Sequence, residues 1–348
     1  MLDLSNEIPS PVIFGCIGTE LTLAEIDLFL DCKPFGLILF EHNCNNPTQL
    51  SELISQFRET VGIRDAPVLI DQEGGRVARM KPPHWRLPPA AGVFSKIFER
   101  DKDIALRAAY LNARLIGKEL ANVKISVNCL PVLDLPALGS HEVIGDRALG
   151  RDVKTITLLG DILCRGLMEE GVSPIIKHIP GHGRAKVDSH RELPSVDASL
   201  EELKRTDFIP FKNLCHLPWA MTAHVVYSAI DENRAATISP IVINEVVRSQ
   251  IGFDGLLLSD DIGMEALSGS KVDRAQIILE AGCDLVLECS GKIEDMVDVA
   301  SALPSMNEET MNRARRAEND RIKSIVNDGL LKQEALREFD QILTDFLS

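Results

Sequence analysis

An α/β chain folded as a single (β/α)8 barrel of the TIM type is what the sequence predicts, on three observations. Eight short apolar runs alternate with longer segments of helical periodicity. Those runs are apolar on both faces, as strands of a parallel sheet covered by helices must be. No GxGxxG follows the first run, which counts against a doubly wound open sheet, the ordinary alternative.

In chain order the strands are PVIFGCI from Pro11, FGLILF from Phe35, APVLID from Ala66, ISVNCLPV from Ile125, SPIIKHI from Ser173, WAMTAHVV from Trp219, DGLLLSD from Asp254 and CDLVLEC from Cys283. Between them run helical stretches such as LTLAEIDLFLDC, PTQLSELISQFRETVG, DIALRAAYLNARLIGKELAN, VKTITLLGDILCRGLMEEG and SLEELKRTDFIPFKNLC. The barrel is expected over 1-306. The charged tail, with RARRAENDRIKSIV and QEALREFDQILTDFL, is expected over 307-348 as helices packed outside the barrel, without a catalytic role.

Composition narrows the function. The formal charge of −15 disfavours a nucleic-acid partner, and no apolar run approaches the roughly 18 residues that span a bilayer. The start MLDLSNEIPSP has neither a basic nor an apolar stretch, so a cytoplasmic protein is expected. Cys16, Cys32, Cys44, Cys129, Cys164, Cys215, Cys283 and Cys289 are scattered singly, without a CxxC pair, and read as small core hydrophobes.

Barrels place reactive groups where strands end. There the third run is followed by Asp71, Glu73, Arg76 and Arg79, and the fourth by Asp134 and the IGDR of Ile144 to Arg147. The fifth ends in Lys177 and His178, the sixth delivers His224, and the seventh ends in Ser259, Asp260 and Asp261. After the fifth, Lys177 to His190 reads KHIPGHGRAKVDSH, in which Pro180, Gly181 and Gly183 place His182, Asp188 and His190 on a loop.

Each of these has a structural reading. Asp71 and Arg79 suit a salt bridge or a helix cap, and His224 suits a hydrogen-bonded core histidine. Asp260 and Asp261 suit a cap, and Asp188 with His190 suits a loop-ordering hydrogen bond. Taken together at one rim they suit displacement at a carbon bearing a leaving oxygen, as in glycoside hydrolysis, with charged groups to hold hydroxyls and amides. Two other chemistries are open. A metal-dependent hydrolase would use His178, His182, His190 or His224 with Asp71 or Asp260, and a Schiff-base lyase would use Lys177.

KHIPGHGRAKVDSH, DQEGGRVARM, the IGDR segment, AHVVY and GFDGLLLSDDIGMEAL together resemble the β-N-acetylglucosaminidases of glycoside hydrolase family 3, in particular the single-domain bacterial type of cell-wall recycling. The resemblance implies a (β/α)8 barrel and retaining hydrolysis with no metal or organic cofactor. It implies Asp260 as nucleophile, and His190 with Asp188 as acid/base in place of a second carboxylate. Asp71, Arg79, Arg147, Lys177 and His178 would bind the terminal N-acetylglucosamine; His182, His224 and Asp261 would support the site. The implied substrate is a small saccharide, N-acetylglucosaminyl-1,6-anhydro-N-acetylmuramic acid or its peptides, and a monomer or weak dimer is expected. Two departures stand out: Arg184, Ala185 and Lys186 where relatives carry Gly-Asp-Thr or small residues, and Phe40-Glu41-His42-Asn43 where relatives often place an arginine.

Overall fold

The computed structural model describes residues 8–137, 139, 141, 143–189, 191–330 and 332–347. Eleven strands run in chain order among them: β1 (Ser10–Phe14), β2 (Pro34–Leu39), β3 (Val68–Ile70), β4 (Val127–Asn128), β5 (Ser173–Ile179), β6 (Ser195–Val196), β7 (Trp219–Thr222), β8 (Val226–Tyr227), β9 (Asp231–Ala235), β10 (Leu256–Asp261) and β11 (Leu285–Glu288). Eight of them close a barrel in the order β1, β2, β3, β4, β5, β7, β10, β11 and back to β1. Every pair in it is parallel. The eight apolar runs are these eight strands.

Helix ends follow their capping chemistry. Thr22 and Glu25 form a capping box on Leu23–Cys32, and Asn46 caps Pro47–Val61, which stops at Gly62 with φ 73°. Asp101 caps Lys102–Asn122 and Asp152 caps Val153–Glu169. Further helices cover Gly92–Arg100, Lys271–Ala281 and Ile293–Ala302, with π-type bonding over Val242–Ile251.

Three elements differ from the sequence reading. The helix expected over 199–215 breaks into Leu200–Arg205 and Phe208–Asn213. Pro210 has no N–H to offer the Thr206 carbonyl, and Ile209 bonds that carbonyl instead at 3.1 Å. The run from Trp219 to Val226 divides between two sheets: β7 belongs to the barrel, while β8 joins β6 and β9 in a small sheet at the rim. In the fourth run only Val127 and Asn128 are strand. The Asn128 amide takes over beyond them, accepting from the Gln72 N–H at 3.0 Å and donating to the Gln72 carbonyl at 3.1 Å. All eight cysteines are free thiols; Cys16, Cys129, Cys164 and Cys283 are buried and the others half-buried.

The tail forms helices Glu308–Lys323 and Lys332–Leu347. Arg321 donates to the Gly171 carbonyl at 2.7 Å, Arg107 pairs with Glu338 at 2.6 Å, and the Phe339 ring lies 6.4 Å from Phe94. Asp284, just before β11, ties the first of these helices to the barrel. Its carboxylate accepts from Leu257 N–H at 2.9 Å, Arg248 at 2.7 Å, Arg313 at 2.9 Å and Thr310 at 3.1 Å. Removing one member of such a buried set strands the others. Asp284→Ala should therefore cost about 3 kcal/mol, read as a lower urea midpoint at unchanged slope.

Candidate active site

A cavity of about 390 Å³ opens at the carboxyl-terminal rim of the barrel, a size within the range of small-ligand sites. Its floor is a buried charge network. Lys177, inside the end of β5, lies 2.8 Å from Asp71 and 2.7 Å from Glu73, both on the loop after β3. Arg79 closes on Asp71 at 3.1 Å. Arg147, from a short 3-10 turn (Gly145–Arg147) after β4, grips both oxygens of Glu73 at 2.8 Å each. The Arg79 guanidinium also sits 5.2 Å over the Phe40 ring.

Burial by itself would raise the carboxyl of Asp71, but Lys177 and Arg79 hold it well below the ordinary value. Burial likewise opposes ionisation of Glu73, and Arg147 with Lys177 brings it down to about 2. For Lys177 burial would favour the neutral amine, yet Asp71 and Glu73 raise its pKa above the usual lysine range. A Schiff-base lysine needs a free amine, so this environment counts against the lyase chemistry.

Asp134, fully buried after β4, organises the end of β5 and the loop beyond it. One oxygen accepts from the backbone N–H of His178 at 3.1 Å and of His182 at 2.6 Å; the other meets His178 Nδ1 at 2.7 Å. Burial opposes its charge, but the two histidines lower the Asp134 pKa to about 2. With Nδ1–H directed to Asp134, a neutral His178 keeps Nε2 as its acceptor. His182 places Nε2 3.1 Å from Ser189 Oγ, while its Nδ1 has no hydrogen-bond partner among the described residues. Burial, with His178 adding to it, pushes the His182 pKa down to about 4.

At the end of β10, Asp260 faces the same cavity and accepts the Asp261 N–H at 2.8 Å. Burial raises its pKa; His178, His224, the Asp261 amide and Lys177 together lower it below the usual carboxylate value. The group is therefore held as an anion. Asp261 also lines the cavity, but one of its oxygens accepts from Gly263 N–H at 2.9 Å and Cys289 N–H at 3.2 Å, which shapes the turn after the strand.

His224 stands behind this turn. Its Nε2 meets the Asp261 carbonyl at 3.0 Å and its Nδ1 meets Thr237 Oγ1 at 2.8 Å. Since a carbonyl only accepts, the proton belongs on Nε2, and burial lowers the pKa of the ring. Its two hydrogen bonds orient the backbone beside Asp260, and burial favours its neutral form.

The structure thus brings Asp71, Arg79, Arg147, Lys177, His178, His182, Asp188, Asp260 and Asp261 to one cavity and sets His224 behind it. His190 lies outside the described residues. Among the described residues no group of three His, Cys, Asp or Glu side chains is arranged to hold a metal ion. Glu73 and Asp134 were visible at strand ends but received no role from the sequence. Their signal was a carboxylate placed within reach of basic groups on neighbouring strands, which only the barrel order reveals.

A parallel barrel carrying at its carboxyl-terminal rim an ionised aspartate, a floor of paired charges and a polar loop is built for chemistry on a small polar molecule. Comparison with known proteins gives the class. Residues 25–319 match the model of the glycosyl hydrolase family 3 N-terminal domain. The β-hexosaminidase of Alkalilimnicola ehrlichii is 38% identical over 286 residues, 80% of each chain. That of Bordetella avium is 34% identical over 314 residues, 88% of each chain. A crystal structure of NagZ from Neisseria gonorrhoeae in complex with N-trifluoroacetyl-D-glucosamine superposes with a TM-score of 0.86 at 30% identity, covering 96% of this chain and 98% of that one. The chain belongs to glycosyl hydrolase family 3, and is a glycoside hydrolase.

The buried ionisations set an acid limit on the fold. His182 falls from 6.5 to about 4 and Glu73 from 4.5 to about 2, so in both cases the unfolded chain binds the proton more readily. The stabilisation is complete above pH 6.5. It is lost first through His182 as pH falls from 6.5 to about 4, then through Glu73 from 4.5 to about 2. Urea unfolding across this range should show stability declining with acid, and His182→Gln should flatten the upper part of the curve.

Proposed function

We propose that this enzyme is a retaining exo-β-N-acetylglucosaminidase that removes the terminal N-acetylglucosamine from N-acetylglucosaminyl-1,6-anhydro-N-acetylmuramic acid and its peptides in the cytoplasm. The observation that carries the reading is that Asp260, held anionic, and Asp188, borne on a separate loop, line the same cavity above a fixed polar floor. The β-hexosaminidase relatives support the bond class, and the glucosamine derivative held by the gonococcal structure supports the sugar.

In this mechanism a carboxylate oxygen of Asp260 attacks the anomeric carbon as the glycosidic C–O bond breaks. The leaving oxygen takes a proton from His190, whose partner is Asp188. Water then attacks the glycosyl-enzyme from the same side, His190 takes its proton, and Asp260 is released with the sugar's β configuration kept. Histidine titrates near neutrality, and an adjacent carboxylate steadies its protonated form. Asp71, Arg79, Arg147, Lys177 and His178 hold the terminal sugar; with Asp71 paired to Arg79 and Lys177, Arg147 to Glu73 and His178 to Asp134, they offer their remaining donors and acceptors to its hydroxyls and amide. His182, His224 and Asp261 support the loop and turn, and the helices over 307–348 serve as scaffold.

Paired assays on aryl N-acetylglucosaminide and aryl glucoside, with the anomer of the first product followed by NMR, test the reaction. The acetamido sugar should be strongly preferred and the β anomer should appear first; an α product would refute retention. Asp260→Ala should lower kcat on the order of 10⁴-fold or more. His190→Ala should lose about 10² to 10⁴-fold on poor leaving groups and much less on a dinitrophenyl one. Equal loss on both would remove His190 from the acid role.

A further inference from the structure

We propose that Arg184 is a positioning residue that latches the acid/base loop onto the helix pair outside the barrel, setting where Asp188 stands relative to Asp260. The inference rests on the acid/base reading of Asp188 and His190 given above.

The loop leaves the barrel at the end of β5, Ile179, and enters the small rim sheet at Ser195. Its first half is held by main-chain contacts. Asp134 receives the His182 N–H, Tyr227 donates to the Gly181 carbonyl at 2.5 Å, Ala137 N–H donates to Gly183 at 3.2 Å and His141 N–H donates to Ala185 at 2.8 Å. Gly183 is packed so closely that a Cβ there would stand 2.1 Å from the Leu135 carbonyl oxygen. Asp188 and Ser189 come after these contacts, on the part of the loop that reaches the cavity.

Arg184 sits at the junction and does not line the cavity; its guanidinium is directed to the broken helix over 200–213. Nε donates to Asp207 Oδ2 at 2.7 Å, Nη2 to Thr206 Oγ1 at 3.2 Å, and Nη1 meets Glu202 at 2.7 Å. Asp207 occupies the break between the helices with its carboxylate wholly buried, and its other oxygen has no hydrogen-bond partner among the described residues. A Cβ on Gly181 would lie 3.1 Å from Asp207 Cβ, so the same aspartate also packs against the start of the loop.

A buried carboxylate without its guanidinium is strongly unfavourable. The pair Arg184–Asp207 therefore makes one loop position strongly preferred, four residues ahead of Asp188. A small displacement of an acid group from the leaving oxygen affects substrates in proportion to their need for the proton.

The test is a leaving-group series of aryl N-acetylglucosaminides, from dinitrophenyl to unsubstituted phenyl, with wild type, Arg184→Met/Asp207→Asn, Glu202→Gln and Asp188→Asn. The double variant removes the pair without leaving a buried charge, and Glu202→Gln weakens the latch at its half-exposed end, so one variant reports even where the other fails to fold. A double variant with a cooperative melt should lose about 30-fold in kcat/KM on the phenyl substrate and less than about threefold on the dinitrophenyl one. Glu202→Gln should show a smaller effect in the same direction. Wild-type behaviour, or equal loss on every substrate, in the latch variants while Asp188→Asn depends steeply on the leaving group would overturn the latch alone. If Asp188→Asn is itself indifferent to the leaving group, the acid/base reading falls and the latch falls with it.

Discussion

One buried ammonium holds the site together. Lys177 stands between Asp71 and Glu73 with almost no solvent contact, and each carboxylate carries an arginine on its other side. None of these charges is stable alone in such surroundings, because desolvation of a single ion costs several kcal/mol. They are tolerable only as a set. The set draws on the end of β5, the loop after β3 and the turn after β4, so it forms only when these strands stand side by side in the closed sheet. The floor of the cavity is accordingly rigid, with its donors and acceptors in place before a ligand arrives.

A second buried carboxylate divides fixed from loop-borne groups. Asp134 binds the backbone of both His178 and His182, and so grips the last turn of β5 and the first of the loop at once. On one side of it lie the residues of the floor. On the other, the chain passes Gly181 and Gly183, is zipped to the segment after β4, and reaches Asp188. Asp260 belongs to a third strand, β10, and its ionisation is favoured by His178 and Lys177 from β5 and by the Asp261 amide. A site assembled this way separates a fixed floor of paired charges from a carboxylate borne on a loop.

Much of this was legible in the order of residues. Short, uniformly apolar runs alternating with helical periodicity identified all eight barrel strands, because a parallel strand covered on both faces must be apolar throughout. The readings failed where side chains replace the main chain. Asn128 ends β4 early by bonding the Gln72 backbone, and Pro210 with the inward-turned Asp207 breaks a segment whose helical pattern is continuous. The run through His224 is uniformly apolar, so nothing in its pattern marks where it leaves the barrel for the rim sheet. Arg184 stands out in the loop's sequence, but its partners on helix 200–205 and at Thr206 and Asp207 lie some twenty residues away.

By itself the sequence determined the architecture and the inventory of the site: the strands, their ends, and the Asp, Lys, His and Arg that gather at one rim. Those follow from local rules, since periodicity and turn chemistry act between near neighbours along the chain. The tertiary structure alone decided how the charges are shared, which carboxylate neutralises Lys177, which histidine stays neutral, and what holds the loop. Such decisions depend on distances of about 3 Å between residues from 23 to 106 positions apart, and electrostatic energies change too steeply with distance and burial for composition or spacing to reveal them.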